Sequence, residues 1–127
     1  MKKVYEQFLQ KAQNDLLNIE NNFASKEIPA DTCCFHAQQA AEKMLKAYLD
    51  YKNEEIPRTH NLPELLKLCN QHNPGYEMLK ENLILLNRFS VSPRYPDEIL
   101  EPTLSDALQA YELAKEVKQF ITDNFFK

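Results

Sequence analysis

The segment 31–52 carries the feature that most restricts the fold, a broad apolar face repeated at helical spacing. At about 100° per residue the apolar positions form one continuous side of a helix, made of Cys33, Cys34, Ala37, Ala41, Met44, Leu45, Tyr48 and Leu49. A face this broad predicts a helix that contacts two or more neighbours. Ala37 and Ala41 are small and lie one turn apart, so they predict the close approach of another helix.

The opposite side of this helix is polar but contains small residues. It carries His36, Gln39, Lys43, Lys46 and Asp50, with Ala40 and Ala47 between them. Such a strip is too polar for a core, yet flatter than a solvent-facing helix surface needs to be. Gln38 projects at the edge of the apolar face, where a partly buried amide needs hydrogen-bond partners.

Four further segments show helical periodicity, and none alternates with the period of two that strands require. They are 3–23, 62–71, 76–89 and the stretch from Thr103 to the end of the chain. Their predicted inward residues include Val4, Leu65, Met78, Leu83, Leu104 and Leu108. Asp15 is predicted to be a surface carboxylate at the edge of the first apolar stripe. We therefore predict an all-α up-and-down four-helix bundle with the short helix 62–71 as an addition.

Helix-terminus signals support these boundaries. Pro29 is placed for the start of the central helix, Asn61 with Glu64 resembles a capping box, and Thr103 with Asp106 predicts another cap. The 127 residues are expected to form one domain, residues 1–127, because a chain of this length buries roughly two-thirds of its unfolded surface.

Composition excludes several classes of function. A single glycine rules out glycine-rich phosphate loops, and a net charge of −4 argues against a DNA-binding protein or another general nucleic-acid binder. The three cysteines are an odd number and are predicted to be buried free thiols in a reducing cytosol. No signal peptide or membrane span is predicted, so we expect a cytoplasmic protein.

Residues 90–102 contain three prolines and form a long connection for a helical bundle, which is typical of binding segments. Arg88 and Arg94 bracket it, and Tyr95 follows. Two guanidiniums held close together can bind a phosphate group, so these three residues are candidates for a phosphate or nucleotide site. The alternative is that Arg94 pairs with Asp97 or a helix carbonyl and pins the connection.

Three segments together resemble one family. Phe35-His36-Ala37-Gln38-Gln39-Ala40-Ala41-Glu42-Lys43-Met44-Leu45-Lys46-Ala47 is similar to the central helix of HEPN domains, which are small helical modules. Thr59-His60-Asn61-Leu62 and Arg94-Tyr95-Pro96-Asp97 follow in the family's order. The resemblance implies the same helical fold. It also implies a homodimer, and we expect the strip of His36, Ala40, Lys43 and Ala47, or the 90–102 connection, to lie in a self-complementary interface.

The resemblance also bears on catalysis. HEPN ribonucleases carry an arginine followed four to six residues later by a histidine, which combines a phosphate clamp with a general acid–base. Here Arg94 stands where that histidine is expected, and all three histidines precede Arg88. Cys33 and His36 lie one turn apart, but no second pair completes a metal site. We therefore expect no catalytic residues, metal or cofactor.

The resulting prediction is a non-catalytic binding module. The resemblance to stand-alone HEPN proteins implies the partner subunit of a minimal nucleotidyltransferase, in a pair of toxin–antitoxin character, which binds a nucleotide or RNA near Arg88 and Arg94. The alternative is a divergent HEPN ribonuclease in which Arg88, Arg94 and Tyr95 act without a histidine.

Overall fold

A computed structural model describes residues 2–90 and 101–127, and within these ranges it is entirely helical. The α-helices are α1 (Val4–Phe23), α2 (Ala30–Tyr51), α3 (Leu62–His72), α4 (Lys80–Leu86) and α5 (Leu104–Asn124). Two short 3₁₀ helices, Pro74–Leu79 and Asn87–Phe89, flank α4. The all-α prediction is confirmed. No helix in the described ranges is long and apolar enough to cross a membrane.

Helix α2 is the centre of the fold, because α1, α3, α4 and α5 all pack against it. Twelve of its residues are buried, and they lie on both its apolar and its polar sides. The predicted apolar face is confirmed, since Ala37, Ala41 and Tyr48 are fully buried in the main core. Buried residues on more than one side of a helix are typical of a core element.

The predicted helix starts are confirmed by their caps. The Asn61 side chain accepts a 2.9 Å hydrogen bond from the backbone N–H of Glu64. Thr103 and Asp106 form a reciprocal capping box at the start of α5. At the end of α2, Asn53 adopts a φ of 60°, a left-handed conformation that asparagine tolerates and that stops the helix.

The predicted helix 76–89 is instead three consecutive pieces, 3₁₀, α and 3₁₀. Asn73 caps the first piece by accepting a hydrogen bond from the N–H of Gly75, which favours a tight turn after Pro74. The tighter 3₁₀ winding changes which side chains face inward. Met78, which was predicted to face inward, is therefore 78% exposed, whereas Leu79, Leu83, Leu86 and Phe89 are buried.

Three other leucine and valine predictions are also wrong. Val4, Leu104 and Leu108 are about half exposed, whereas Ala107, between the two leucines of α5, is fully buried, so the buried stripe of α5 lies to one side of these leucines. The three cysteines, Cys33, Cys34 and Cys69, are buried free thiols as predicted. Burial raises the pKa of both Cys34 and Cys69 to about 12.

Candidate functional site

The polar side of α2 is a set of ion pairs anchored by two buried carboxylates. The first is Asp15 of α1, whose Oδ1 lies 2.7 Å from Nδ1 of His36 and whose Oδ2 lies 2.6 Å from Nζ of Lys43. An ionised carboxylate only accepts hydrogen bonds, so the facing Nδ1 of His36 carries the proton. The prediction that Asp15 is a surface carboxylate is wrong, because Asp15 is buried between α1 and α2.

The position of Asp15 also corrects the interface prediction for Ala40 and Ala47. Both alanines lie on the same face of α2 as His36 and Lys43, and both are fully buried within the monomer. Since His36 and Lys43 both bind α1, this face is the one that α1 covers. The small residues therefore allow the close approach of α1, and Ala40 and Ala47 are not available to a second copy of the chain.

The second buried carboxylate is Glu42 of α2. Its Oε1 accepts a 3.0 Å hydrogen bond from Nδ1 of His60, and its Oε2 accepts a 3.1 Å hydrogen bond from Nζ of Lys46. The fully buried Gln38 donates to Glu42 and to the backbone carbonyl of His60, while its own carbonyl oxygen accepts from Gln39. The partners expected for Gln38 are thus present.

These contacts attach the connection between α2 and α3 to the surface of α2. His60 contributes both its imidazole and its backbone carbonyl to this attachment. A 3.0 Å hydrogen bond from the N–H of Leu62 to Oδ1 of Asn87 joins the start of α3 to the residue before Arg88.

Arg88 is the middle residue of the short 3₁₀ helix Asn87–Phe89 and is exposed. Its guanidinium lies 5.3 Å from the centre of the Phe89 ring. Hydrogen bonds with the backbone and side chain of Thr103 lower the pKa of Asp106 at the start of α5, and the positive charge of Arg88 adds a smaller effect in the same direction. Arg94 and Tyr95 lie outside the described residues. No group of three or more His, Cys, Asp or Glu side chains in residues 2–90 and 101–127 could hold a metal ion.

Comparison with known proteins identifies this arrangement of helices. The model of the HEPN domain family matches residues 5–124, nearly the whole chain. The chain belongs to the HEPN family. The crystal structure of an archaeal HEPN homologue is similar, with a TM-score of 0.75 and 25% sequence identity over 98% of this chain and 99% of that one. No match is found among curated protein sequences.

Two of the three HEPN-like segments of the sequence lie in the described residues, and the third, residues 94–97, lies outside them. Residues 35–47 form the middle of α2, and residues 59–62 lead from the His60 contact into α3. The anchoring role of Glu42 was missed, although its spacing of four residues from Lys46 is a recognisable ion-pair signal. The role of Asp15 depends on the packing of α1 against α2, which no local pattern shows.

Proposed function

We propose that this HEPN protein is a non-catalytic binding subunit, a homodimer that accompanies a minimal nucleotidyltransferase in a toxin–antitoxin-like pair. The observation that carries the proposal is the placement of the histidines. One ring nitrogen of each is bonded to a carboxylate, in the pairs His36–Asp15, His60–Glu42 and His72–Glu54. None follows Arg88 in the sequence, so the family's arginine–histidine pair for RNA cleavage is not formed.

The end of the bundle near Arg88 has the character of an interaction surface. Leu104 and Leu108 are spaced four residues apart on α5 and are 47% and 49% exposed. Both leucines lie near the start of α5, which follows the 90–102 connection. Asp106 lies between them in the sequence, and the positive charge of Arg88 is one of the causes of its lowered pKa. Apolar side chains next to exposed charges are typical of protein–protein interfaces, and this surface replaces the α2 strip as the proposed site of dimer or partner contact.

A phosphate or nucleotide is the proposed small ligand of the same end of the molecule. Arg88 supplies one guanidinium, and Arg94 with Tyr95, which follow it after the start of the proline-rich connection, would supply the second cation and a hydroxyl. Guanidinium groups bind phosphate through paired N–H donors. With no histidine in the motif, we expect binding without turnover.

Oligomeric state tests the interaction surface. Light scattering of the wild type should give twice the monomer mass of 14.9 kDa. Leu108→Glu should shift the protein to monomer, because it places a charge in an apolar contact. Leu17→Glu is the matched control, since Leu17 is a half-exposed leucine on α1, and it should leave the dimer intact. A wild-type monomer at micromolar concentration would contradict the proposal.

Ligand titration tests the non-catalytic part. ATP, AMP and a short RNA are titrated into the wild type and Arg94→Ala, alongside an RNA-cleavage assay. Binding that is lost in Arg94→Ala without any cleavage supports the proposal. Cleavage that persists through purification and disappears in Arg88→Ala would replace it with the divergent ribonuclease.

A further inference from the structure

Helices α1 and α5 run antiparallel on the surface of α2, and they contact each other mainly near their two ends. At one end the rings of Tyr5 and Phe125 lie 5.4 Å apart. At the other end the rings of Phe23 and Tyr111 are also 5.4 Å apart, and the Tyr111 hydroxyl donates a 2.6 Å hydrogen bond to Glu20. These large side chains join the two helices at each end and leave a space between them in the middle.

That space is a cavity of about 220 Å³ with an apolar interior. Its inner wall is formed by side chains of α1, α2 and α5 that are each 3% exposed or less: Ala12, Leu16, Met44 and Ile121. An engineered apolar cavity of about 150 Å³ in another protein binds benzene. By the same proportion, the cavity between α1 and α5 has room for an apolar group of about eight carbon atoms.

The mouth of the cavity is polar and carries three exposed side chains, Gln13 of α1 and Lys118 and Thr122 of α5. Nζ of Lys118 donates a 2.7 Å hydrogen bond to Oε1 of Gln13, across the gap between the helices. Two ammonium hydrogens of Lys118 remain. The amide nitrogen of Gln13 and the hydroxyl of Thr122 have no hydrogen-bond partner among residues 2–90 and 101–127. Donors from both helices therefore meet at one opening.

The charge of Lys118 is not paired with an acid in the described part of the chain, because its one hydrogen bond goes to a neutral amide. Acidic side chains close to it in the sequence bind other groups. Glu116 accepts a 2.7 Å hydrogen bond from Asn82, and Asp123 accepts one of 3.0 Å from Gln119. An apolar cavity with a few polar groups at its mouth is typical of small-molecule sites, and one unpaired ammonium favours a ligand with one negative charge.

We propose that the cavity between α1 and α5 binds a small monocarboxylic acid, with an apolar body of about six to eight carbon atoms inside and the carboxylate at Lys118. The Lys118 ammonium would donate a charge-assisted hydrogen bond to the carboxylate, and the Gln13 amide a second hydrogen bond. Aliphatic and aromatic acids both present this chemistry. Lys118 lies about 15 Å along α5 from Leu108, so the site does not depend on the interaction surface proposed above.

Methionine methyl NMR signals of the full chain provide the first test, because Met44 lies in the cavity wall, whereas Met78 is 78% exposed and lies outside it. Octanoate and phenylacetate are titrated separately, and acetate, which lacks the apolar body, is the control compound. The Met44 signal should shift and saturate with at least one of the two acids, while the Met78 signal stays in place. A response to octanoate alone identifies an aliphatic acid, and a response to phenylacetate alone identifies an aromatic one. No shift of Met44 with either acid, or equal shifts of both methionines, would overturn the proposal.

Variants of the mouth and the wall provide the second test. Lys118→Gln removes the charge at the mouth and should weaken binding of the responding acid at least about tenfold. Lys115→Gln is the matched control, since Lys115 is an exposed lysine of α5 that pairs with Glu112, and it should bind as the wild type does.

Ala12→Leu places three more carbon atoms in the cavity wall and should abolish the shift of the Met44 signal. Unchanged affinity in Lys118→Gln, or an unchanged Met44 response in Ala12→Leu, would reject the cavity as a carboxylate site. Lys118 is exposed, so Lys118→Gln decides the test if Ala12→Leu does not fold.

Discussion

Lys43 of α2 donates a 2.6 Å hydrogen bond to Oδ2 of Asp15 on α1, across 28 residues of sequence. His36 occupies the other oxygen of the same carboxylate. The contacts of Asp15 with Lys43 and His36 therefore fix the register of α1 on α2. They lie where Ala40 and Ala47 allow the two helices to approach closely.

Asp15→Ala should destabilise the fold by about 3 kcal/mol, because it leaves Lys43 without a counter-charge and His36 without its hydrogen-bond acceptor in a mostly buried position. Chemical denaturation of the wild type and of Asp15→Ala measures the difference in their free energies of unfolding. Glu112→Ala is the control, since it removes an exposed pair with Lys115 and should cost about 0.5 kcal/mol or less. Equal stability of Asp15→Ala and the wild type would show that the contact does not hold α1.

Ala41→Leu should overpack the fully buried side of α2 and cost about 1–3 kcal/mol. The position has no space for three extra carbon atoms without movement of a neighbouring helix. A thermal melt measures the loss. Ala24→Leu adds the same atoms at an exposed position after α1 and should change stability little, so a similar melting temperature for both variants would reject this packing.

Replacement of two tyrosines by phenylalanine should have opposite effects on stability. The buried Tyr76 hydroxyl has no hydrogen-bond partner in the described part of the chain, so Tyr76→Phe should stabilise by about 1 kcal/mol. The Tyr111 hydroxyl donates a 2.6 Å hydrogen bond to Glu20, so Tyr111→Phe should destabilise by about 1 kcal/mol. Denaturant midpoints measure both changes, and a loss of stability in Tyr76→Phe would indicate a partner for its hydroxyl.

The buried thiols should resist modification in the folded protein. Burial raises the pKa of Cys34 and Cys69 to about 12, and it also raises the pKa of Cys33, so almost no thiolate forms near neutral pH. A thiol-reactive dye at pH 8 should label the native protein slowly and the denatured protein at all three cysteines. Rapid labelling of the native protein would contradict the burial.

The same pKa shifts predict a loss of stability at alkaline pH. A thiol in an unfolded chain ionises at about pH 8.5, whereas Cys69 in the fold stays protonated up to about pH 12. The stabilisation that comes from keeping the Cys69 thiol protonated is therefore fully present below the pKa of the unfolded chain. It is lost as the pH rises toward the pKa of Cys69 in the fold. The free energy of unfolding should fall more steeply between these values in the wild type than in Cys69→Ala.

The positions and ends of most helices could be predicted from the sequence, because apolar periodicity and capping are local properties. The apolar face of α2, the Asn61 cap and the Thr103–Asp106 capping box needed only residues within a few turns of each other. The three HEPN landmarks likewise identified the family, which the match over residues 5–124 confirms. The break of the predicted helix 76–89 depends on local winding that periodicity does not resolve.

Only the tertiary structure decided which sides of these helices are covered. Periodicity assigned one buried face to α2, but several helices surround it, so Ala40 and Ala47 on its polar side are buried as well. Asp15 is buried for the same reason, since the cost of removing its charge from water is offset by His36 and Lys43, which lie more than 20 residues away. Burial depends on the number and position of neighbouring helices, and these are set by contacts between segments distant in the sequence.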